Sequence, residues 1–283
     1  MKAIDVHAHV TPLFGYKRTF GEEVTEALKT YYRVKDDIKT EEEMVNDFKR
    51  LDIQAIIIAW DAESNLATPK IDNDFVADFA KRYSDTFIAS WAMVDPWKGK
   101  MAVKEVEHAI KDLGMLGVKF QPVVQAFYPD DRQFYPIYET CSALKVPVSF
   151  HVGTTGFGAG MPGGGGHRLS YTRPIPHIDN IAADFPDLTI IMIHPAWPWQ
   201  EEQAAVLLHK GNVFADLSGY APRYFPESIK KEVNGRLQDK FMFGSDYPEI
   251  PPERWLNEFE AGGYKPEVVE KVLYKNAQRI LGL

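Results

Sequence analysis

Cysteine is almost missing from this chain: Cys141 is the only one in 283 residues. An intrachain disulfide and a cysteine-based zinc site are therefore excluded, and any metal must be held by histidine and carboxylate. Positive charge is in deficit, with 32 Lys and Arg against 40 Asp and Glu and a net charge of -8. That balance argues against a nucleic-acid surface. No apolar run is long enough to span a bilayer, and nothing at the amino terminus reads as a signal peptide, so a cytoplasmic protein without membrane partners is expected. Internal repeats and low-complexity linkers are also lacking. A length of 283 residues is ordinary for one α/β barrel, so residues 1–283 are expected to form a single domain.

What the chain does have is a series of eight short apolar runs, over 3–9, 53–60, 87–94, 115–121, 146–152, 188–194, 213–218 and 241–246. Several lack polar alternation, as expected of parallel strands covered on both faces. Stretches with helical spacing of apolar residues lie between them, over 41–51, 72–83, 101–113, 134–144, 178–185, 200–209 and 266–281. Eight strands with intervening helices predict a (β/α)8 TIM barrel; the alternative is an open doubly wound sheet. The barrel is favoured because metal-type residues recur at run ends around the whole chain: His7 and His9, His151, His194 and Asp246.

Residues two apart on a strand share a face, so His7 and His9 can reach one ion together. His-x-His alone is a weak signal in a chain with eight histidines, and a lone strand-end histidine is more often a hydrogen-bonded core residue. Matching histidines at other run ends reverse that expectation. Asp246, before Tyr247-Pro248, reads either as a helix cap or as a ligand; a buried carboxylate without a cation is costly, which favours the ligand. His108 and His209 fall on predicted helices and read as surface residues. His167 and His177 flank a glycine-rich stretch, and Asp216 in the seventh run reads as a supporting or packing residue. Arg168, Arg173 and Arg223 are candidates for binding an anionic substrate.

Two connections leave runs that carry candidate ligands. Residues 11–40 form a long β1 insertion with aromatic and basic side chains, including Tyr16, Lys17, Arg18, Tyr31, Tyr32 and Arg33. Residues 153–166 hold eight glycines without the Gly-Lys-Ser or Gly-Lys-Thr ending of a phosphate-binding loop. Both are expected to cover the barrel mouth; for the glycines, a plain surface insertion is the alternative.

Asp5-Val6-His7-Ala8-His9, the His151 and His194 run ends, and Gly244-Ser245-Asp246-Tyr247-Pro248 together resemble the amidohydrolase superfamily. The segments Tyr171-Thr172-Arg173-Pro174, Asp184-Phe185-Pro186-Asp187-Leu188 and His194-Pro195-Ala196-Trp197-Pro198-Trp199 are similar to its amidohydrolase-related branch. That branch contains aminocarboxymuconate semialdehyde decarboxylase and aromatic acid decarboxylases. The resemblance implies that His7, His9, His151 and Asp246 bind one divalent cation, zinc or alternatively manganese. It implies that His194 is a catalytic base or acid, with Asp246 able to shuttle a proton. In two-metal relatives the strand-six histidine binds a second ion with a carboxylated lysine on strand four, and Lys119 stands at about that place.

Such a site predicts a metal-dependent hydrolase acting on a small, anionic organic substrate through a metal-activated water. The same parts would serve a non-oxidative decarboxylase of an aromatic or unsaturated carboxylic acid, and a non-catalytic metal-binding barrel is the reading from a different class. The expected partners are the small-molecule substrate and, as a homodimer, a second copy of the chain.

Overall fold

Eight parallel strands form one sheet in the order β1 to β8: Ala3–His9, Ile53–Ile58, Phe87–Met93, Gly117–Phe120, Val148–His151, Ile190–Ile193, Val213–Asp216 and Phe241–Met242. The structure is a computed structural model that describes residues 2–10, 20–32 and 39–283. The sheet closes on itself: Val6 N–H donates to the Phe243 carbonyl at 3.0 Å, Asp246 N–H to His7 at 2.9 Å and His9 N–H to Tyr247 at 2.8 Å. The expected TIM barrel is therefore present, and the open sheet is not.

Helices follow the strands around the outside. They are α1 (Glu22–Tyr32), α2 (Glu41–Lys49), α3 (Glu63–Leu66), α4 (Asn73–Arg82), α5 (Lys100–Lys111), α6 (Pro122–Gln125), α7 (Tyr135–Leu144), α8 (Asp179–Asp184), α9 (Gln200–His209), α10 (Glu227–Val233), α11 (Pro252–Glu260), α12 (Pro266–Glu270) and α13 (Asn276–Leu281). Local chemistry sets their limits. In α2 the Thr40 hydroxyl accepts from Glu43 N–H while the Glu43 carboxylate accepts from Thr40 N–H, a reciprocal cap, and Met44, Val45 and Phe48 form the buried face. Helix α11 is absent from the sequence-based expectation. Pro248, Pro251 and Pro252 make that stretch look like a loop, although Pro252 sits where a proline is tolerated at a helix start and Trp255, Leu256 and Phe259 carry the buried stripe.

Strand parity explains which side chains enter the barrel. One apolar layer, between strands and helices, takes Ala55, Ile57, Val118, Phe120, Val148, Phe150, Ala215 and Leu217. A second layer inside the barrel takes Ile4, Val6, Ile56, Ile58, Ile191, Ile193 and Met242. Lys119, His151 and Asp216 alternate with the outer set and so point inward. On β1 the parity changes midway. Ile4 and Val6 face in, whereas Ala8 and Val10 face out, because the register with β2 shifts between Asp5 and Ala8. That bulge turns His7 and His9 into the barrel. His194 follows inward-facing Ile193 and would face outward by alternation. Its φ of 74° breaks the strand and brings its ring back toward the interior.

Candidate metal centre and cavity

At the carboxyl ends of β1 and β8, the ligand-type atoms of His7, His9 and Asp246 lie within 4.8 Å of one another. The two Nε2 atoms stand 3.2 Å apart, and Asp246 Oδ1 is 3.1 Å from that of His7 and 3.2 Å from that of His9. Two ligands about 2.05 Å from a tetrahedral ion would be about 3.3 Å apart, so this spacing suits one small cation. The chemistry agrees. His7 Nδ1–H donates to the fully buried Asp216 carboxylate at 3.2 Å, and Lys119 Nζ donates to His7 Nε2 at 3.1 Å. In neutral His7 the Nε2 lone pair faces the Asp246 oxygen and the His9 Nε2, a crowding of acceptors that either a bound cation or a proton on His7 offsets.

Burial dominates the electrostatics. It pushes His9 down to about 3 and His194 down to about 4, and holds His151 well below the usual range, so all three are neutral imidazoles at neutral pH. His7 is different. Burial and the Lys119 ammonium depress it, but its bonds to Asp216 and Asp246 outweigh them and leave it raised. Burial works against ionised Asp246, yet His7 and His9 hold its carboxyl well below the ordinary carboxylate range. Lys119 is lowered to about 8 by burial. Beneath the centre, Asp5 accepts from the N–H groups of His7 and Ser245, each at 3.0 Å, and from the Ser245 hydroxyl. Asp5 thus ties the β1 bulge to the turn that carries Asp246, a role the sequence alone did not reveal.

The residues singled out from sequence divide clearly. His7, His9 and Asp246 form the compact donor cluster and Lys119 reaches it through His7, whereas His151, expected as a fourth ligand, stands outside the 4.8 Å spacing, on the cavity wall beside His194 with the two ring centroids 4.6 Å apart. His151 Nε2 donates to the Thr154 carbonyl at 3.0 Å, which leaves the lone pair on Nδ1. The three arginines do not join them. Arg173 is exposed and clamps Glu202 through Nε and Nη2, Arg223 is exposed beside Glu258 and Tyr224, and Arg168 is exposed as well. None of the three lines the cavity above the centre. Among the described residues the cations that do are Lys119 and Arg254, the latter carried by α11, the helix missed from sequence.

That cavity has a volume of about 510 Å³ and is walled in part by Phe20, Trp60, Phe157 and Tyr220. Trp60 stacks on the His9 ring at 5.2 Å, and Phe20 meets both Trp60 and Phe157 edge to face. The β1 insertion reaches it through Phe20 and Leu28, while Tyr16, Lys17, Arg18 and Arg33 lie outside the described residues. The loop after β5 reaches it only through Thr154, Thr155, Gly156 and Phe157. Gly165 and Gly166 line a separate cavity of about 420 Å³ against α1, α3 and α6.

A closed parallel barrel with such donors at its strand ends defines a TIM-barrel protein with a metal-type centre. Comparison with known proteins gives the family: residues 4–283 match the amidohydrolase family model, and the chain belongs to that family. It is similar to a γ-resorcylate decarboxylase from Polaromonas sp., 32% identical over 92 residues that cover 30% of this chain and 27% of that enzyme. A TIM-barrel protein from Bordetella bronchiseptica is similar along 100% of this chain and 99% of its own, with 26% identity and a TM-score of 0.83. A 5-carboxyvanillate decarboxylase from Novosphingobium aromaticivorans, solved with manganese and 4-hydroxy-3-methoxy-5-nitrobenzoic acid, shares the fold. Its TM-score is 0.71, at 17% identity over 100% of this chain and 96% of that one.

Proposed function

We propose that the protein is a metal-dependent carboxy-lyase that removes carbon dioxide, without oxidation, from a small aromatic or unsaturated carboxylic acid. The observation that carries this reading is the His7–His9–Asp246 cluster, its histidines buried and its aspartate half-buried, opening into a cavity with aromatic walls and, among the described residues, two cationic side chains. The decarboxylases among its relatives support it. His7, His9 and Asp246 would hold the ion, with His151 as the further ligand. The manganese of the carboxyvanillate enzyme supports manganese, and the imidazole-rich donor set supports zinc. A bound divalent ion would polarise a substrate oxygen and draw charge from the breaking bond.

The chain's own residues do the rest. Trp60, Phe20 and Phe157 stack against a planar substrate and exclude water, which strengthens every charge interaction beneath them. The Lys119 ammonium and the Arg254 guanidinium attract its anionic groups. When the carbon–carbon bond breaks, its electron pair stays on the substrate carbon, which takes up a proton. That proton is the one that Nε2 of His194 first takes from a bound O–H group and then passes to carbon, with Asp246 as the second group placed beside it. Among the described residues no helix is long and apolar enough to cross a membrane. A homodimer belongs to this reading, with exposed Tyr128, Leu169 and Ile175 as candidate contacts.

A second reading, hydrolysis of a lactone, ester or amide by the same residues, is favoured by one contact. Lys119 Nζ lies 3.1 Å from His7 Nε2, where a carboxylated lysine would bridge a second ion. The test is carbon dioxide release from a panel of hydroxybenzoates and unsaturated acids, run beside a lactone and ester panel, with metal content measured on the same sample. Turnover of acids with about one ion per chain supports the carboxy-lyase. Turnover confined to lactones or esters replaces it with the hydrolase.

A further inference from the structure

The hydrogen bonds around His194 fix where its proton sits. Ser218, just beyond β7, places its Oγ 2.6 Å from Asp216 Oδ1 and 2.8 Å from His194 Nδ1. An ionised carboxylate only accepts, so the Ser218 hydroxyl proton points at Asp216. Its oxygen is then left to accept, and the Nδ1 atom facing it must carry hydrogen. We infer that Ser218 is a positioning residue that holds His194 in the tautomer with hydrogen on Nδ1 and a lone pair on Nε2, so that His194 enters the reaction as a proton acceptor.

Three further observations support the assignment. Asp216 Oδ1 also accepts from the His194 and Ser218 N–H groups, at 3.0 and 3.1 Å, so the carboxylate that orients Ser218 also pins the His194 backbone. The His194 carbonyl accepts from Gln203 Nε2 at 2.7 Å, which holds the left-handed backbone from its other side. Gly219 leaves room at the Nδ1 edge: a Cβ there would stand 2.5 Å from His194 Nδ1 and 2.9 Å from Cε1, so that only glycine lets the ring stand against Ser218. The ring borders the cavity with Nε2 as its remaining nitrogen.

The proton step is then directional. An O–H bond of bound substrate or water breaks, its proton forms the N–H bond at Nε2, and the electron pair stays on oxygen. The imidazolium that results keeps its Nδ1–H on Ser218, backed by the Asp216 charge. The proposal rests on the catalytic site of the preceding section but not on which reaction it performs.

The test is a long-range proton–nitrogen spectrum of the zinc-loaded protein labelled at histidine nitrogen, with the His194 signals assigned by their loss in His194→Gln. The expected result is a protonated Nδ1 and an unprotonated Nε2 in the wild type, and a mixture of tautomers in Ser218→Ala. The same Ala variant should keep its metal content and KM while kcat falls about tenfold, and Ser218→Thr, which retains the hydroxyl, should restore both the spectrum and the rate. An Nε2-protonated His194 in the wild type overturns the proposal, as does a Ser218→Ala protein with the wild-type spectrum. The spectrum needs no substrate, so failure of the carboxy-lyase reading would appear separately, as a correct tautomer in a protein that releases no carbon dioxide.

Discussion

The seam between β1 and β8 and the mouth above it are built on different principles. At the seam nearly every polar atom has two jobs. Asp216 serves His7 with one oxygen and His194 and Ser218 with the other, and Asp5 joins the β1 bulge to the Asp246 turn. The mouth is made of side chains from separate segments: Phe20 before α1, Phe157 after β5, Tyr220 after β7 and Arg254 on α11. Their contacts are mainly ring edges and one-sided ion pairs. An interlocked seam holds the chemistry constant while a mouth of independent parts can change its substrate, and mutations should reveal the difference.

The sharpest separation comes from the ligands themselves. His9→Ala or Asp246→Ala should remove metal and lower kcat/KM by at least about 10³-fold, since the ion supplies several kcal/mol of charge stabilisation. Chelation of the wild type should do the same, and the thermal midpoint should fall as the bound ion's stabilisation is lost. Metal analysis and melting curves on the same preparations check this. A variant that keeps full activity without its ligand would mean that the seam is structural.

One shell out, Asp216→Asn should weaken metal affinity by about 10- to 100-fold, because the carboxylate no longer fixes the His7 ring and its tautomer. Competition with a fluorescent chelator measures it. An unchanged affinity would show that the seam's double bonding is not needed to hold the ion.

How far the sequence reveals each region follows the same division. His7, His9, His151, His194 and Asp246 were legible because strand ends of a barrel converge by topology, whatever the details. The means of convergence was not legible. Nothing in Asp5-Val6-His7-Ala8-His9 announces a register shift, and alternation would have sent His194 outward, had its φ of 74° not turned it. Strand positions were found, and β1 at its full length, but the other seven strands were read too long. β8 keeps only Phe241–Met242, because Phe243 N–H donates to Val272 and Ser245 N–H to the Asp5 carboxylate instead of to the backbone of a neighbouring strand. The mouth was hardest to read: arginines near recognisable motifs looked like substrate ligands, but Arg173 is held by Glu202, while Arg254 sits on a helix masked by prolines.

At the mouth, then, Arg254→Ala should raise KM for an anionic substrate about tenfold, the equivalent of losing a charge-assisted bond of about 1.5 kcal/mol, and should leave kcat within about twofold. Metal content should not change. The parallel variant Arg173→Ala should do neither, since its guanidinium is engaged outside the cavity. A KM effect at Arg173 and none at Arg254 would move the substrate's anionic end to another wall.

The smallest effect on turnover is expected from the part of the chain that looked most like a lid. Gly163, Gly164, Gly165 and Gly166 all adopt positive φ, from 62° to 85°, a region that costs an alanine roughly 1–2 kcal/mol. Space is not the obstacle, because an added Cβ at Gly163, Gly164 or Gly166 meets nothing within 4 Å. Replacing all four by alanine should therefore strain the loop and let it relax into another path, lowering the midpoint of urea unfolding. The cavity over the metal centre should be little disturbed, because its share of this loop, Thr154 to Phe157, is anchored elsewhere. Thr154 N–H donates to the Trp197 carbonyl at 2.7 Å, and Gly153 and Thr172 bond to each other through Gly153 N–H at 3.0 Å and the Thr172 hydroxyl at 2.6 Å. With that base clamped, kcat/KM of the four-alanine variant should stay within about twofold of wild type. A large fall in kcat with metal retained would show that the glycines gate the site after all, and that motion in the loop reaches the cavity past its clamped base.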